Sequence, residues 1–422
     1  MRRTWPLWAG AAWLAAAGPA AARPADGAQR LGDQPAAVDV DFQLATAVAV
    51  GPDGLATALV RQGDRAVVRR ARTGRPFGRS RRLPLGDDPA SPTVTAGTGF
   101  AALAWTRFDA TYLPRPYDRE EPCCRRVRAA LLDRSGHVTH PRTLSSPNAN
   151  VLGAIGAVRG RRVVLAWTDA RGVRTSIGVR GRGFRRPVTV TSSTRSTLLA
   201  VALPRATPHV FLLVGSRRPR IEEAWRSGGR TRRVELGAFD VSPFGVRAAS
   251  TPAGHLLVTA DVFRRPRLRR LVVFSRRPGH RLRVTRVRLR SISPTATAAA
   301  LAPSGRGMVA TADGRGGLIL RSVDSTGHLG RATSVRTGGA PIDSAVAIAS
   351  SGAGALAVHV FHGTSRRRRD TLVAWPLHAG GRPGSRRTIS PAGSSVSGAL
   401  AATADGRVAW YQGRSTYAAM VR

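Results

Sequence analysis

With 422 residues, 42% of them apolar, the chain can build one large core or several small ones, which excludes a disordered polybasic tail. Glycine (46) and proline (28) are too frequent and too evenly scattered for a helical bundle, so composition points to an all-β chain with many turns. Basic residues number 67 against 24 acidic ones, a formal charge of +43, and every basic residue is arginine. GC-rich codons account for arginine in place of lysine but not for the scarcity of acids, so the charge itself has a physical consequence to be found.

At the N-terminus, Arg2 and Arg3 precede an apolar stretch at 7–18, and Ala20, Ala21 and Ala22 offer a cleavage site before Arg23. This pattern predicts a secretory signal peptide over 1–22 and a single exported domain over 23–422. The stretch is about 12 residues, short of the roughly 20 that a membrane-spanning helix needs, and no later stretch comes close, so no transmembrane segment is expected. Export permits disulfides, yet the only cysteines are the neighbours Cys123 and Cys124. Adjacent Cα atoms lie about 3.8 Å apart across a trans peptide, below the usual disulfide minimum of about 4.4 Å. A vicinal ring and free or intermolecular thiols therefore both stay open, and neither staples the fold.

Beyond the N-terminus one pattern recurs about every 50 residues: a small apolar run, a turn, a second apolar run, a loop, then two more short runs. The paired first and second runs fall at 47–50 and 55–60, 94–96 and 100–105, 154–158 and 163–167, and 199–203 and 210–214. They continue at 246–250 and 256–260, 298–301 and 308–311, 345–349 and 355–360, and 399–403 and 408–411, which makes eight copies. Runs this short, joined by Asp-Gly, Ala-Gly and Ser-Gly pairs, predict β-hairpins. Third runs such as 127–132 and 271–274, and fourth runs such as 188–190 and 284–287, bring each unit to four strands.

A unit of this kind cannot bury its own faces, so the copies must pack on one another. In this the chain resembles the β-propellers, whose four-stranded blades stand around a channel. The resemblance rests on the repeat period and implies a single propeller of eight antiparallel blades, or seven if one weak unit, the fourth foremost, is irregular. The eighth copy shows three strands, and residues 28–32 sit where a fourth strand sits elsewhere, so the N-terminal segment is expected to complete the last blade and leave no open edge. Small Ala and Ser in the first strands suit a crowded axis. Trp105, Trp167 and Trp410 recur at one blade position and are expected to fill space between blades.

The departure from even spacing lies in the second unit at 106–125, where the loop between strands two and three is enlarged. Asp109, Asp118, Glu120 and Glu121 gather there with Tyr112 and Tyr117, in a chain with four Tyr in all. Long loops on rigid scaffolds carry binding function, although these acids also suit plain neutralisation of nearby Arg. A second constellation is the set of residues ending each second strand: Arg107, Asp169, Ser216, Asp261, Asp313, His362 and Gln412. Propeller connectivity would bring them to one mouth, where Asp169, Asp261, Asp313 and His362 are candidate ligand-binding residues; ordinary turn chemistry is the competing reading.

His359 and His362 are three apart, which in a strand sends them to opposite faces, so no metal site is expected. No phosphate loop or nucleophile elbow appears, and neither a cofactor nor a catalytic residue is assigned. The Ser-x-Asp-x-Gly-x-x-Trp box of sialidases is missing, since Ser322 to Gly327 misplaces the Gly, and the Trp-Asp ending of WD repeats is absent. Arginine clusters occupy both sets of loops, which predicts a basic coat around the disc.

These features support first a non-enzymatic exported scaffold that binds a protein or glycan ligand through its loop-rich face. An electrostatic binder of anionic cell-envelope polymers or extracellular nucleic acid, without sequence-specific reading, is the alternative. A glycan hydrolase or lyase using acid and base carboxylates at the mouth is a third.

Overall fold

A computed structural model describes residues 28–33, 46–62, 65–87, 90–107, 110–112, 121–123, 125–146, 149, 151, 153–193, 196–215, 218–239, 243–265, 268–289, 297–362, 369–390, 401–412 and 415–421. Residues 1–27, with the expected signal peptide, lie outside them, as does Ser216.

Strands pair in chain order, first to fourth, in eight antiparallel sheets. Seven of these run through 46–87, 90–143, 154–191, 196–238, 244–289, 297–336 and 340–388. The eighth joins Ala401–Ala402, Arg407–Gln412 and Ser415–Met420 to Gln29–Asp33 from the other end of the chain. First strands of neighbouring sheets contact each other all the way round, blade 8 meeting blade 1, so the sheets form a closed ring. The protein is an eight-bladed β-propeller. Its fourth unit, expected to be the weak one, has four full strands: Ser196–Ala202, His209–Val214, Arg220–Ser227 and Arg230–Ala238. Irregularity falls in blade 3, where the outer strand is split into Gly183–Phe184 and Val188–Thr191, both paired with Gly172–Val179.

Position in the blade decides what each strand is made of. Second strands have neighbouring blades on both faces and read as continuous apolar runs; Gly307–Ala312 is buried throughout, and Phe100–Arg107 everywhere except Arg107. First strands such as Thr46–Val50 (TAVAV) and Thr297–Leu301 (TAAAL) are built of small residues where the blades converge. Outer strands face water, and Arg230–Ala238 is exposed along nearly its whole length. Trp105, Trp167 and Trp410 are at most 1% exposed and lie between blades 1 and 2, 2 and 3, and 7 and 8.

Closure depends on two side chains besides the ladder that sets Arg30 opposite Tyr417. The Gln29 amide donates to Phe77 O and accepts from Phe77 N, both at 2.7 Å, tying the N-terminal strand to blade 1. Arg407, 3% exposed, donates from Nε to Asp405 Oδ2 (2.8 Å), from Nη1 to Arg75 O (2.8 Å) and from Nη2 to Arg72 O (2.6 Å). Its guanidinium also lies over the Phe77 ring, 5.0 Å from the centroid. Replacing Arg407 by Ala leaves the buried Asp405 carboxylate without its counter-charge and with the Thr403 hydroxyl as its remaining side-chain partner, and is expected to cost about 3–5 kcal/mol. Chemical denaturation measures this, with Arg331→Ala on an exposed outer strand as a control expected to stay within about 0.5 kcal/mol.

Candidate functional site

Of the residues expected to end the second strands, Asp169, Asp313 and His362 are engaged where they stand. Asp169 Oδ1 accepts from Arg171 N (2.8 Å) across a tight turn, while Oδ2 accepts from Trp167 Nε1 (3.2 Å) and lies 3.7 Å from Arg174 Nη1. Asp313 Oδ1 accepts from Arg315 N (2.7 Å) and Gly317 N (2.9 Å), which closes the Asp-Gly turn after Gly307–Ala312. His362 Nε2 is paired with Thr371 Oγ1 at 2.8 Å within blade 7. Asp261 departs from its expected place: strand Leu256–Arg265 runs four residues beyond it, and its side chain is fully buried. There it accepts from Thr297 Oγ1 of blade 6 at 3.3 Å, a tie between blades instead of a group at a strand end. No group of three or more His, Cys, Asp or Glu among the described residues could hold a metal ion.

In blade 2 the enlarged loop carries a separate hairpin, Ala110–Tyr112 paired with Glu121–Cys123, in which Tyr112 faces Glu121 across the ladder and Ala110 faces Cys123. Asp109, Tyr117, Asp118, Glu120 and Cys124 lie outside the described residues.

Two further arrangements were not singled out from sequence. One is a turn shared by blades 2 and 6, Asp133-Arg-Ser-Gly-His137 and Asp324-Ser-Thr-Gly-His328, which joins third to fourth strands. The leading Asp accepts from the hydroxyl two residues on (2.6 and 2.7 Å) and from the His backbone N–H (2.9 Å in both). Glycine is required because Gly136 and Gly327 hold φ of 86° and 87°. Burial pushes both carboxyls up, but these hydrogen bonds outweigh it and hold them below the usual carboxylate range. The segment containing Asp324, which lacks the sialidase spacing, thus has a turn role.

The other arrangement joins blades 4 and 5. Strand Arg220–Ser227 carries adjacent acids whose side chains point to opposite faces. Glu222 receives Arg220 Nε at 2.5 Å, with Arg233 Nη1 4.0 Å away. Glu223 Oε1 pairs with His209 Nδ1 at 2.7 Å, and its Oε2 with Arg276 Nη1 of blade 5 at 2.6 Å. The His209 ring stacks on Trp225, centroids 4.9 Å apart and 2° from parallel. Burial raises the Glu223 carboxyl, but His209 and Arg276 together hold it below its ordinary value. A Glu-Glu pair in an acid-poor chain was the available sequence signal. Its partners lie 14 and 53 positions away, so only the fold reveals them.

Outside this cluster the rim is basic. Arg81 and Arg82, Arg142, Arg185 and Arg186, Arg331 and Arg336, and Arg386 and Arg387 are exposed on or beside the outer strands of five different blades.

No protein-family model matches the sequence, and no curated protein is similar to it. Solved structures do resemble the fold. The BP39L lectin from Burkholderia pseudomallei aligns at TM-score 0.48 and 12% identity, covering 82% of this chain and 98% of the lectin. Hydrazine synthase from Kuenenia stuttgartiensis aligns at 0.46 and 11%, covering 85% and 99%. The fucose-specific lectin from Aleuria aurantia aligns at 0.36 and 14%, covering 71% and 95%. Identities this low reach the fold alone.

Because the folded Glu223 carboxyl titrates below its unfolded value, its contribution to stability is complete above about pH 4.3 and is lost as pH falls through the lower folded value. Glu223→Gln is therefore expected to be less stable than wild type at pH 7, with the gap closing below about pH 4. Denaturant midpoints measured from pH 7 to pH 3 check this; a gap constant with pH contradicts it.

Proposed function

We propose that this is an exported, non-catalytic binding scaffold held on polyanionic material by its arginine-coated circumference. The observation that carries this reading is the rim itself, where outer strands turn guanidiniums to water and the acids nearby are few. Arginine presents a fixed fork of donors that matches phosphate and carboxylate, and a high density of them releases counterions from an anionic chain. The non-catalytic part is supported by Asp169 and Asp313 holding turns and by Asp261 lying buried between blades.

Binding of long-chain inorganic polyphosphate tests the reading. If six or more arginines engage phosphates, affinity falls by about 10³ or more between 50 and 200 mM salt. A flat salt response overturns it.

The blade 2 hairpin supports a second activity on the loop-rich face, capture of a protein or glycan partner. Deleting residues 109–124 is expected to abolish retention of that partner from culture supernatant while leaving the melting temperature of the ring unchanged. Undiminished retention removes the hairpin from consideration.

A further inference from the structure

The rim is not uniform. Val188, Val234 and Val284, the large hydrophobics exposed among the described residues at 43%, 44% and 37%, all lie on outer strands of the adjacent blades 3, 4 and 5.

Two of these valines, Val234 and Val284, turn into the same space between blades 4 and 5. In strand Arg230–Ala238, Thr231 Oγ1 donates to Val190 O at 2.7 Å and Arg233 to Thr191 Oγ1, so 231 and 233 turn toward blade 3. Side chains alternate along a strand, so Arg230, Arg232 and Val234 turn toward blade 5. In strand Arg283–Leu289, Val284 pairs with Phe274, whose ring meets Phe239 of blade 4 edge-on at 4.6 Å. Arg283 pairs with Ser275, which bonds Gly327 O of blade 6. Val284, Arg286 and Arg288 therefore turn toward blade 4.

The result is a groove between two outer strands, with the Glu223–Arg276 bridge at its floor. Val234 pairs with Glu223, whereas Val284 pairs with Phe274, whose ring meets Phe239, and Gly237 lies against Leu282, so Val234 and Val284 stand at successive levels of the groove with Leu282 and Phe239 between them. Both strands are the fourth of their blade and run the same way. Arg230 and Arg232, before Val234, and Arg286 and Arg288, after Val284, consequently lie toward opposite ends, and the groove reads basic, aliphatic, basic. The guanidiniums of Arg230, Arg232 and Arg288 make no hydrogen bond or ion pair with other described residues.

The geometry points to a docking groove for a single extended phosphodiester chain with short aliphatic linkers and no bases. This rests on the polyanion reading above and names its ligand class. Guanidiniums spaced two strand rises apart, about 6.6–6.8 Å, meet successive anionic groups, and the valines cover the uncharged carbons between them. Binding of single-stranded nucleic acid relies on aromatic platforms for its bases, whereas this groove offers valine between its arginines, and His209 covers a face of Trp225.

The test uses a base-free phosphodiester oligomer, with a single-stranded oligonucleotide of equal charge beside it. Arg230→Gln/Arg232→Gln/Arg288→Gln removes three groove charges, and Arg331→Gln/Arg336→Gln/Arg387→Gln removes three exposed outer-strand charges elsewhere. The groove variant is expected to lose about tenfold or more in affinity, and its log–log salt slope to fall by about 2–3, while the control changes both little. Val234→Asp/Val284→Asp, which keeps every arginine, is expected to weaken binding as well. Equal losses in the two triple variants overturn the groove and leave the coated rim standing. Tighter binding of the base-bearing strand overturns the base-free assignment. Absence of salt-dependent binding by the wild type overturns the polyanion reading and the groove with it.

Discussion

A four-stranded blade with apolar residues on both faces has nowhere to hide them except against another blade. Every blade here is therefore a structural dependant of its two neighbours, and the end blades gain their second neighbour only where the ring meets itself. That meeting point joins blade 8 to blade 1, where a strand near residue 30 pairs with one near residue 417 and Arg407 reaches across to the carbonyls of Arg72 and Arg75. The guanidinium is buried against Asp405, so the pair stands or falls as a unit.

The distribution of charge follows from the same packing. Second strands are sealed by neighbours on both sides, and several buried acids on or near them are tied to the adjoining blade. Asp261 meets Thr297, Glu223 meets Arg276, and Asp405 holds the arginine that crosses the closing seam. In a chain with 24 acids, several are thus engaged within turns and between blades. The arginines of the outer strands keep their field, which raises solubility and attraction to anions at a cost in self-repulsion.

Much of this architecture was legible in the residues. Short apolar runs separated by glycine turns revealed eight units, and the run at 28–32 gave away the shared last blade, because strand periodicity and turn chemistry are local properties. Trp105, Trp167 and Trp410 were correctly read as filling between blades, since a large ring recurring at one blade position has a repeated space to fill. Asp261 was misplaced because the end of its strand is set by pairing with Leu268–Arg276, not by its own neighbours. Arg407 carries no local signal, because its burial depends on carbonyls more than 330 positions away. The groove between blades 4 and 5 needed the facing of each outer strand, which blade-to-blade hydrogen bonds decide and alternation alone leaves twofold.

The pairing of Arg30 with Tyr417 also governs the order of events as the polypeptide is made. Synthesis delivers residue 30 early, and its partner arrives only after nearly all other blades have emerged. Until then the nascent stack has a raw edge at each end, open to proteases and to other chains. Completion is thus a late, long-range step with a large entropic barrier. Opening meets a different obstacle, because the seam's ladder and the buried Arg407 contacts must break before any chain freedom is regained, so the finished disc owes its endurance to kinetics as much as to equilibrium.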